Sequence, residues 1–258
     1  MKNFTVLCMF LVVGVSLCSA ATYYSTSFES SQGFTAGQAI AGQGTPAWHG
    51  GFQWGLAAGD VSNADSFTGT QSLYQTGIQE GWVDMGQRQV AQWVEFAFKP
   101  EFGADPLAIT RFMTLAGPLG QPSGVNMQLT AGTSAITCDG VNVGTFVNNA
   151  WQTISFANHI SNFTWTDGGG ITHNTVFTGY YDVYVNGVFK ATVLATSGGM
   201  YNSVETLVFR AIDQTWTHNG TWFIDGVNVS DASIYVPEPA TIGLLLVGGF
   251  SLIRRRRS

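Results

Sequence analysis

Between residues 22 and 235 no stretch sustains the apolar period of a helix, while several segments repeat apolar residues at every second position. A period of two is what a strand with one buried face requires, so the pattern restricts this chain to sheets. Val94, Phe96 and Phe98 share one face, with Trp93 and Glu95 on the other. Ile109 to Leu115 alternates in the same way, as do Val125, Met127 and Leu129. The clearest hairpin runs from Tyr180 to Leu194, where Val183 and Val185 lead into Asn186-Gly187, and Phe189, Ala191 and Val193 lead out. Asn-Gly accommodates the positive φ that a type I′ turn needs. Thr133 to Val147, around Asp139-Gly140, reads as a second hairpin. Val204 to Ile212 reads as a strand closed by Asp213, and Thr221 to Val229 as the last strand. Gly33 to Gly59, rich in Gly and Gln, reads as loop. Many strands without helices predict an all-β fold, a two-sheet sandwich in one domain over residues 22–235.

Both ends differ from this body. Lys2 precedes an apolar run, Val6 to Leu17, interrupted only by Gly14 and Ser16, and the small residues Ser19, Ala20 and Ala21 follow. This is the layout of a signal peptide over residues 1–21, cut after Ala20 or Ala21. Leu17 before Cys18 is too bulky for a good lipid-attachment site. At the other end the chain reads VPEPATIGLLLVGGFSLIRRRRS, from Val236 to Ser258. Pro237 and Pro239 hold the chain extended around Glu238 and exclude helix there. Ala240 to Ile253 carries no charge, and Arg254, Arg255, Arg256 and Arg257 follow. Clustered arginines stay on the cytoplasmic side of a membrane. As helix, the uncharged run would reach about 21 Å, against a hydrocarbon core of about 30 Å. Arginine snorkelling and local thinning close part of the gap. The end reads as a short membrane segment that holds an exported chain with its body outside.

The triplet, the apolar run and the basic end together resemble the PEP-CTERM sorting signal of exopolysaccharide-producing Gram-negative bacteria. The resemblance covers residues 236–258. It implies that Val236, Pro237, Glu238 and Pro239 form the processing motif and that Arg254 to Arg257 are the cytoplasmic stop. It also implies exosortase, a membrane-embedded cysteine protease, as a processing partner after signal peptidase. The chain would be anchored transiently in the inner membrane, then reach the cell surface or extracellular matrix. None of this assigns a role to residues 22–235.

Removing both ends takes away Lys2 and the four arginines but only Glu238 among the acids. Five basic residues then face fifteen acidic ones, a net charge of −10. So acidic a domain is a poor partner for nucleic acid. Cys138 is the one cysteine left, so no intrachain disulfide is expected, and stability has to come from the core.

Four local patterns follow in order: SFESSQGF (Ser27 to Phe34), NNAWQTISF (Asn148 to Phe156), YDVYVNGVFKATV (Tyr181 to Val193) and TWFIDGVNVS (Thr221 to Ser230). This series resembles the concanavalin-like, laminin-G-like jelly roll. There a Trp-initiated strand precedes a strand ending in VNG and its hairpin partner, and a closing strand pairs near the first. The resemblance further implies a structural Ca²⁺ held by oxygen ligands between first and last strands, here Glu29 and Asp225. Gly226 stands where that pattern often has a second aspartate, and the plain alternative is two surface acids at strand ends.

Catalysis is not expected. Retaining glycoside hydrolases place two carboxylates about 5 Å apart, and the ExDxxE pattern that does this on one strand is absent. Glu95, Asp182 and Glu205 have no carboxylate partner on their own strands, though a pair built from different strands stays open. His49, His159, His173 and His218 show no metal-ligand spacing. Cys138 reads as a small buried hydrophobe. Trp151 and Trp222 read as core, whereas Trp48, Trp165 and Trp216 fall in Gly-rich or polar segments and are candidate platforms for sugar rings. The chain is thus read as a noncatalytic exported surface or matrix protein associated with exopolysaccharide. A lectin-like glycan-binding module and a polysaccharide-degrading enzyme are the alternatives.

Overall fold

A computed structural model describes residues 21–51, 56–89, 93–115, 123–158, 163–166, 172–175, 179–195, 204–212 and 217–231. The predicted signal peptide, apart from Ala21, and the whole sorting tail lie outside the described residues. So does Trp216. Among the described residues no helix is long and apolar enough to cross a membrane.

The strands, in chain order, are β1 (Thr22–Thr26), β2 (Trp48–His49), β3 (Ala57–Ala58), β4 (Asp60–Ser62), β5 (Ser72–Thr76), β6 (Gln79–Gln89), β7 (Trp93–Pro100), β8 (Ile109–Leu115) and β9 (Ser123–Thr130). They continue with β10 (Ala135–Cys138), β11 (Val141–Thr145), β12 (Gln152–Asn158), β13 (Phe163–Thr166), β14 (Thr172–Thr175), β15 (Tyr180–Val185), β16 (Val188–Leu194), β17 (Val204–Arg210) and β18 (Thr221–Ser230). Sheet A has the order β16-β15-β12-β7-β18-β5-β4, with β1 also on β18. Sheet B has the order β11-β10-β9-β8-β17-β6-β2, with β3 parallel to β6. β13 and β14 form a separate pair. The protein is an all-β two-sheet sandwich of jelly-roll type, as its alternation requires.

Turn chemistry sets the register of both predicted hairpins. Asn186 and Gly187 have φ of 51° and 73°, and Asp139 and Gly140 have 45° and 82°. Paired positive φ values are the type I′ signature and match the twist of the flanking strands. The closing strand does lie beside the first, with Tyr24 opposite Val229. The stretch read as loop, Gly33 to Gly59, instead contains β2 and β3, two-residue strands on the edge of sheet B.

Inward residues of the two sheets meet in one core. Phe96 and Phe156 of sheet A face Phe112 and Phe209 of sheet B, with Phe96–Phe112 centroids 4.6 Å apart and Phe112–Phe156 5.6 Å apart. Two buried polar side chains within it pair with each other. Trp222 Nε1 donates to Gln75 Oε1 (2.8 Å), and Gln75 Nε2 donates to the Phe209 carbonyl (3.1 Å). Cys138 is buried, and burial pushes its thiol well above the usual range, so it packs as a small hydrophobe. At the margin of the domain, Ala21 N donates to Asp231 Oδ1 at 2.7 Å, so residues 21 and 231 lie side by side.

Candidate functional site

Trp48 is not a sugar platform. Its ring is fully buried, 5.3 Å from Phe28 and 5.9 Å from Phe209, and its Nε1 donates to the Tyr24 hydroxyl at 2.6 Å. The cause is register: β2 pairs Trp48 with Val83, an inward position of β6. A ring with no exposed face has nothing to offer a ligand. Trp165 lies in β13, opposite His173 on β14, rather than in a loop. Trp151, read as core, is half-exposed. It contacts Phe67 (5.8 Å) and Phe223 (6.4 Å) and donates from Nε1 to Asp65 Oδ1 (2.9 Å).

Glu29 and Asp225, the candidate calcium pair, converge on one loop between β4 and β5. Asp225 Oδ2 accepts from Phe67 N (2.9 Å), Thr68 N (2.7 Å) and Thr68 Oγ1 (3.2 Å), and its Oδ1 accepts from Gly226 N (2.6 Å). Glu29 Oε1 accepts from Thr70 N (2.6 Å) and Gln71 N (3.0 Å), and its Oε2 from Thr70 Oγ1 (2.8 Å). Amide hydrogens thus point at the oxygens a cation would need. Among the described residues no group of three or more His, Cys, Asp or Glu is arranged to hold a metal. Burial pushes the Asp225 carboxyl up in spite of its donors. At Glu29 partial burial acts in the same direction, but the Thr70 and Gln71 donors outweigh it and hold the carboxyl low. Asp65, in the same loop, is also held low: the Lys99 ammonium at 2.6 Å and the Trp151 indole outweigh its desolvation. Lys99 bonds Glu101 as well (2.6 Å) and is raised by both acids. The carboxylates around this loop are therefore filled by internal donors: amides, a hydroxyl, an indole and Lys99.

Two carboxylates from different strands also share that face. Glu95 of β7 accepts from Ser155 Oγ (2.6 Å), and Asp182 of β15 accepts from Thr192 Oγ1 (2.5 Å). With β12 between them and an offset of two residues, their Cα atoms stand about 12 Å apart.

The outer face of sheet B is different. One row crosses five strands in register: Glu80, Arg210, Arg111, Gln128 and Thr137. Arg210 Nε donates to Glu80, which is fully buried, and Arg111 Nη2 donates to Gln128 Oε1 at 2.9 Å. Gln128 Nε2 in turn donates to Thr130 Oγ1 (3.1 Å). The next row is His49, Trp82, Val208, Met113 and Asn126. The exposed His49 ring lies flat on the half-buried Trp82, centroids 4.0 Å apart at 18°. This places an aromatic plane beside two guanidinium groups and two side-chain amides on one surface. Flat rings stack on sugars, and amides and guanidiniums supply directional donors.

The sequence reading passed over every member of this site except His49, which it set aside as a loop residue. It also passed over a carboxylate pair: Glu80 and Asp84 stand four residues apart on one face of β6, with Trp82 between them. That spacing is legible once residues 79–89 are known to be a strand.

No family model matches the chain, and no curated protein is similar to it in sequence. Solved structures of the same fold do match. The carbohydrate esterase vb_24B_21 from Shiga toxin-encoding bacteriophage phi24B is 14% identical, with a TM-score of 0.52 over 83% of this chain and 100% of its own. An endo-β-1,4-glucuronan lyase from the fungus Trichoderma reesei is 12% identical, with a TM-score of 0.51 over 84% of this chain and 98% of its own. The cellulose induced protein Cip1 is 12% identical, with a TM-score of 0.50 over 83% of this chain and 100% of its own. At such identities the likeness is one of fold.

Proposed function

We propose that the chain is an exported, noncatalytic surface or matrix protein whose sandwich contacts polysaccharide through the outer face of sheet B. The observation that carries this reading is the His49–Trp82 stack beside the Arg210–Arg111–Gln128 row. Two of the fold neighbours are named for carbohydrate chemistry, which is consistent with a sugar ligand. Sorting through Val236 to Ser258 would deliver the domain to where exopolysaccharide accumulates. Once the tail is cut, the sandwich would be displayed or released rather than anchored.

The test is retention on immobilised polysaccharides, comparing the wild-type domain with Trp82→Ala. Retention that falls with this change supports the reading. Retention on no polysaccharide, or retention indifferent to Trp82, contradicts it.

Glu80 and Asp84 favour a second reading, an inverting hydrolase. Their Cα atoms are about 13 Å apart along the strand. Side chains leaning together could approach the carboxyl separation of about 6.5–9.5 Å used by inverting enzymes. Against it, Glu80 is fully buried and bonded to Arg210. Reducing-sugar release that disappears in Asp84→Asn would establish this reading over the first.

A further inference from the structure

The first strand is held at its tip by very little. β1 pairs along one edge with β18, whose other edge belongs to β7. Its first buried side chain is Tyr24, and Ala21 and Thr22 ahead of it are exposed. A strand end without a core side chain is prone to fray. Asp231, the residue after β18, meets it there. Ala21 N donates to Asp231 Oδ1 at 2.7 Å, and Asp231 N donates back to the Ala21 carbonyl at 3.1 Å. Among the described residues no lysine or arginine pairs with Asp231. The nitrogen that faces this carboxylate is the one signal peptidase would free by cutting after Ala20. Water adds across the Ala20–Ala21 bond: the C–N bond breaks, Ala20 keeps a carboxylate, and the Ala21 nitrogen leaves as an amine. An α-amine has an ordinary pKa of about 7.7–8.0, so at neutral pH it takes up a proton and is largely ammonium. A cut after Ala21 would instead remove Ala21 and both of its contacts with Asp231.

We propose that the mature chain begins at Ala21 and that its α-ammonium forms an ion pair with Asp231, clasping the start of β1 to the end of β18. The clasp exists only after processing. In the precursor the same nitrogen is a neutral amide and the contact an ordinary hydrogen bond, which a charged donor makes stronger. The cut also adds a positive charge to a domain with five basic and fifteen acidic residues. Asp231 lies five positions before Val236, so the clasp closes the domain just ahead of the sorting motif in sequence. The proposal rests on the export reading above and adds two things: the bond that is cut, and the acid that receives the new charge.

The experiment has two readouts. The full chain is expressed with its own signal peptide in a Gram-negative host, and the first residue of the exported protein is read by mass spectrometry of its terminal peptide. Ala21 is expected. Thr22 would overturn the proposal and leave export standing, whereas a chain that keeps its first twenty residues would overturn both. The second readout is the charge. Asp231→Asn keeps an oxygen acceptor and removes the negative charge. It is compared in protein that starts at Ala21 and in the same protein with Ser19 and Ala20 still ahead of Ala21, where the Ala21 nitrogen stays an amide. Asp231→Asn should lower the melting temperature of the first protein by about 1–3 °C and that of the second by less. The gap between the two should shrink as NaCl rises from about 50 to about 500 mM. Equal shifts in both proteins would overturn the ion pair, because a hydrogen bond to a neutral amide would then account for them.

Discussion

The two outer faces of this sandwich use charge in opposite ways. On sheet A, Glu29 and Asp225 turn toward the β4–β5 loop and accept its amides, and Asp65, within that loop, bonds Lys99 and the Trp151 indole. On sheet B, two arginines face each other across β8 and β17, with a single buried glutamate in their row. The first face is an internally closed network that fixes backbone. The second sets two guanidinium groups in one row beside a stacked aromatic pair. Carboxylates filled by backbone amides shape the fold, whereas a ring lying on an exposed imidazole at the surface leaves a plane that a ligand can meet.

The largest effect is expected where the closed network is cut. Asp225→Ala removes the acceptor for Phe67 N and Thr68 N and should cost about 2–4 kcal/mol in chemical denaturation. Polysaccharide retention by the molecules that remain folded should be unchanged. Lost retention in a folded Asp225→Ala protein would mean that the two faces are coupled. Next, Trp82→Ala should weaken glycan binding about tenfold with little change in stability, and Trp151→Ala should do the reverse. Parallel effects of the two changes would dissolve the distinction between the faces.

Acid should act on sheet A first. Glu29 and Asp65 have folded-state carboxyls held below their ordinary values. Such groups contribute stability that is present above the unfolded pKa and lost as pH falls through the folded one. Asp225 is raised and works in the opposite direction, favouring the fold when protonated. Stability should therefore fall as pH drops below about 4, more steeply in wild type than in Glu29→Gln, as read by thermal melts at several pH values. The smallest effect concerns metal. EDTA should leave the melting temperature unchanged, because the carboxylates of Glu29 and Asp225 already accept amides. A drop of several degrees would show that the pair binds calcium after all.

Local features of the sequence were the most legible. Asn186-Gly187 and Asp139-Gly140 announce their turns because few other dipeptides accept two positive φ values in succession. β8 could be read from alternation, and β18 was also bounded almost to the residue. Trp48 misled because a Trp in a Gly-rich stretch looks exposed, while its burial follows from pairing with Val83 about thirty-five positions away. β6 was hidden because Trp82 beside Val83 blurs the alternation. The sheet B row was invisible for a stronger reason. Residues 80, 210, 111, 128 and 137 meet only through a strand order that sequence proximity does not encode. Glu29 and Asp225 were found together, but the loop amides they grip carry no side-chain signal at all.

The most direct measurement is an NMR titration of the ¹⁵N-labelled domain with soluble oligosaccharides cut from a polysaccharide that retains it, following tryptophan indole and arginine Nε–H signals. A site on sheet B predicts that the Trp82 indole and the Nε–H signals of Arg111 and Arg210 move together while the Trp151 indole stays still. Movement of the Trp151 indole with Trp82, Arg111 and Arg210 unchanged would contradict it and transfer the site to sheet A.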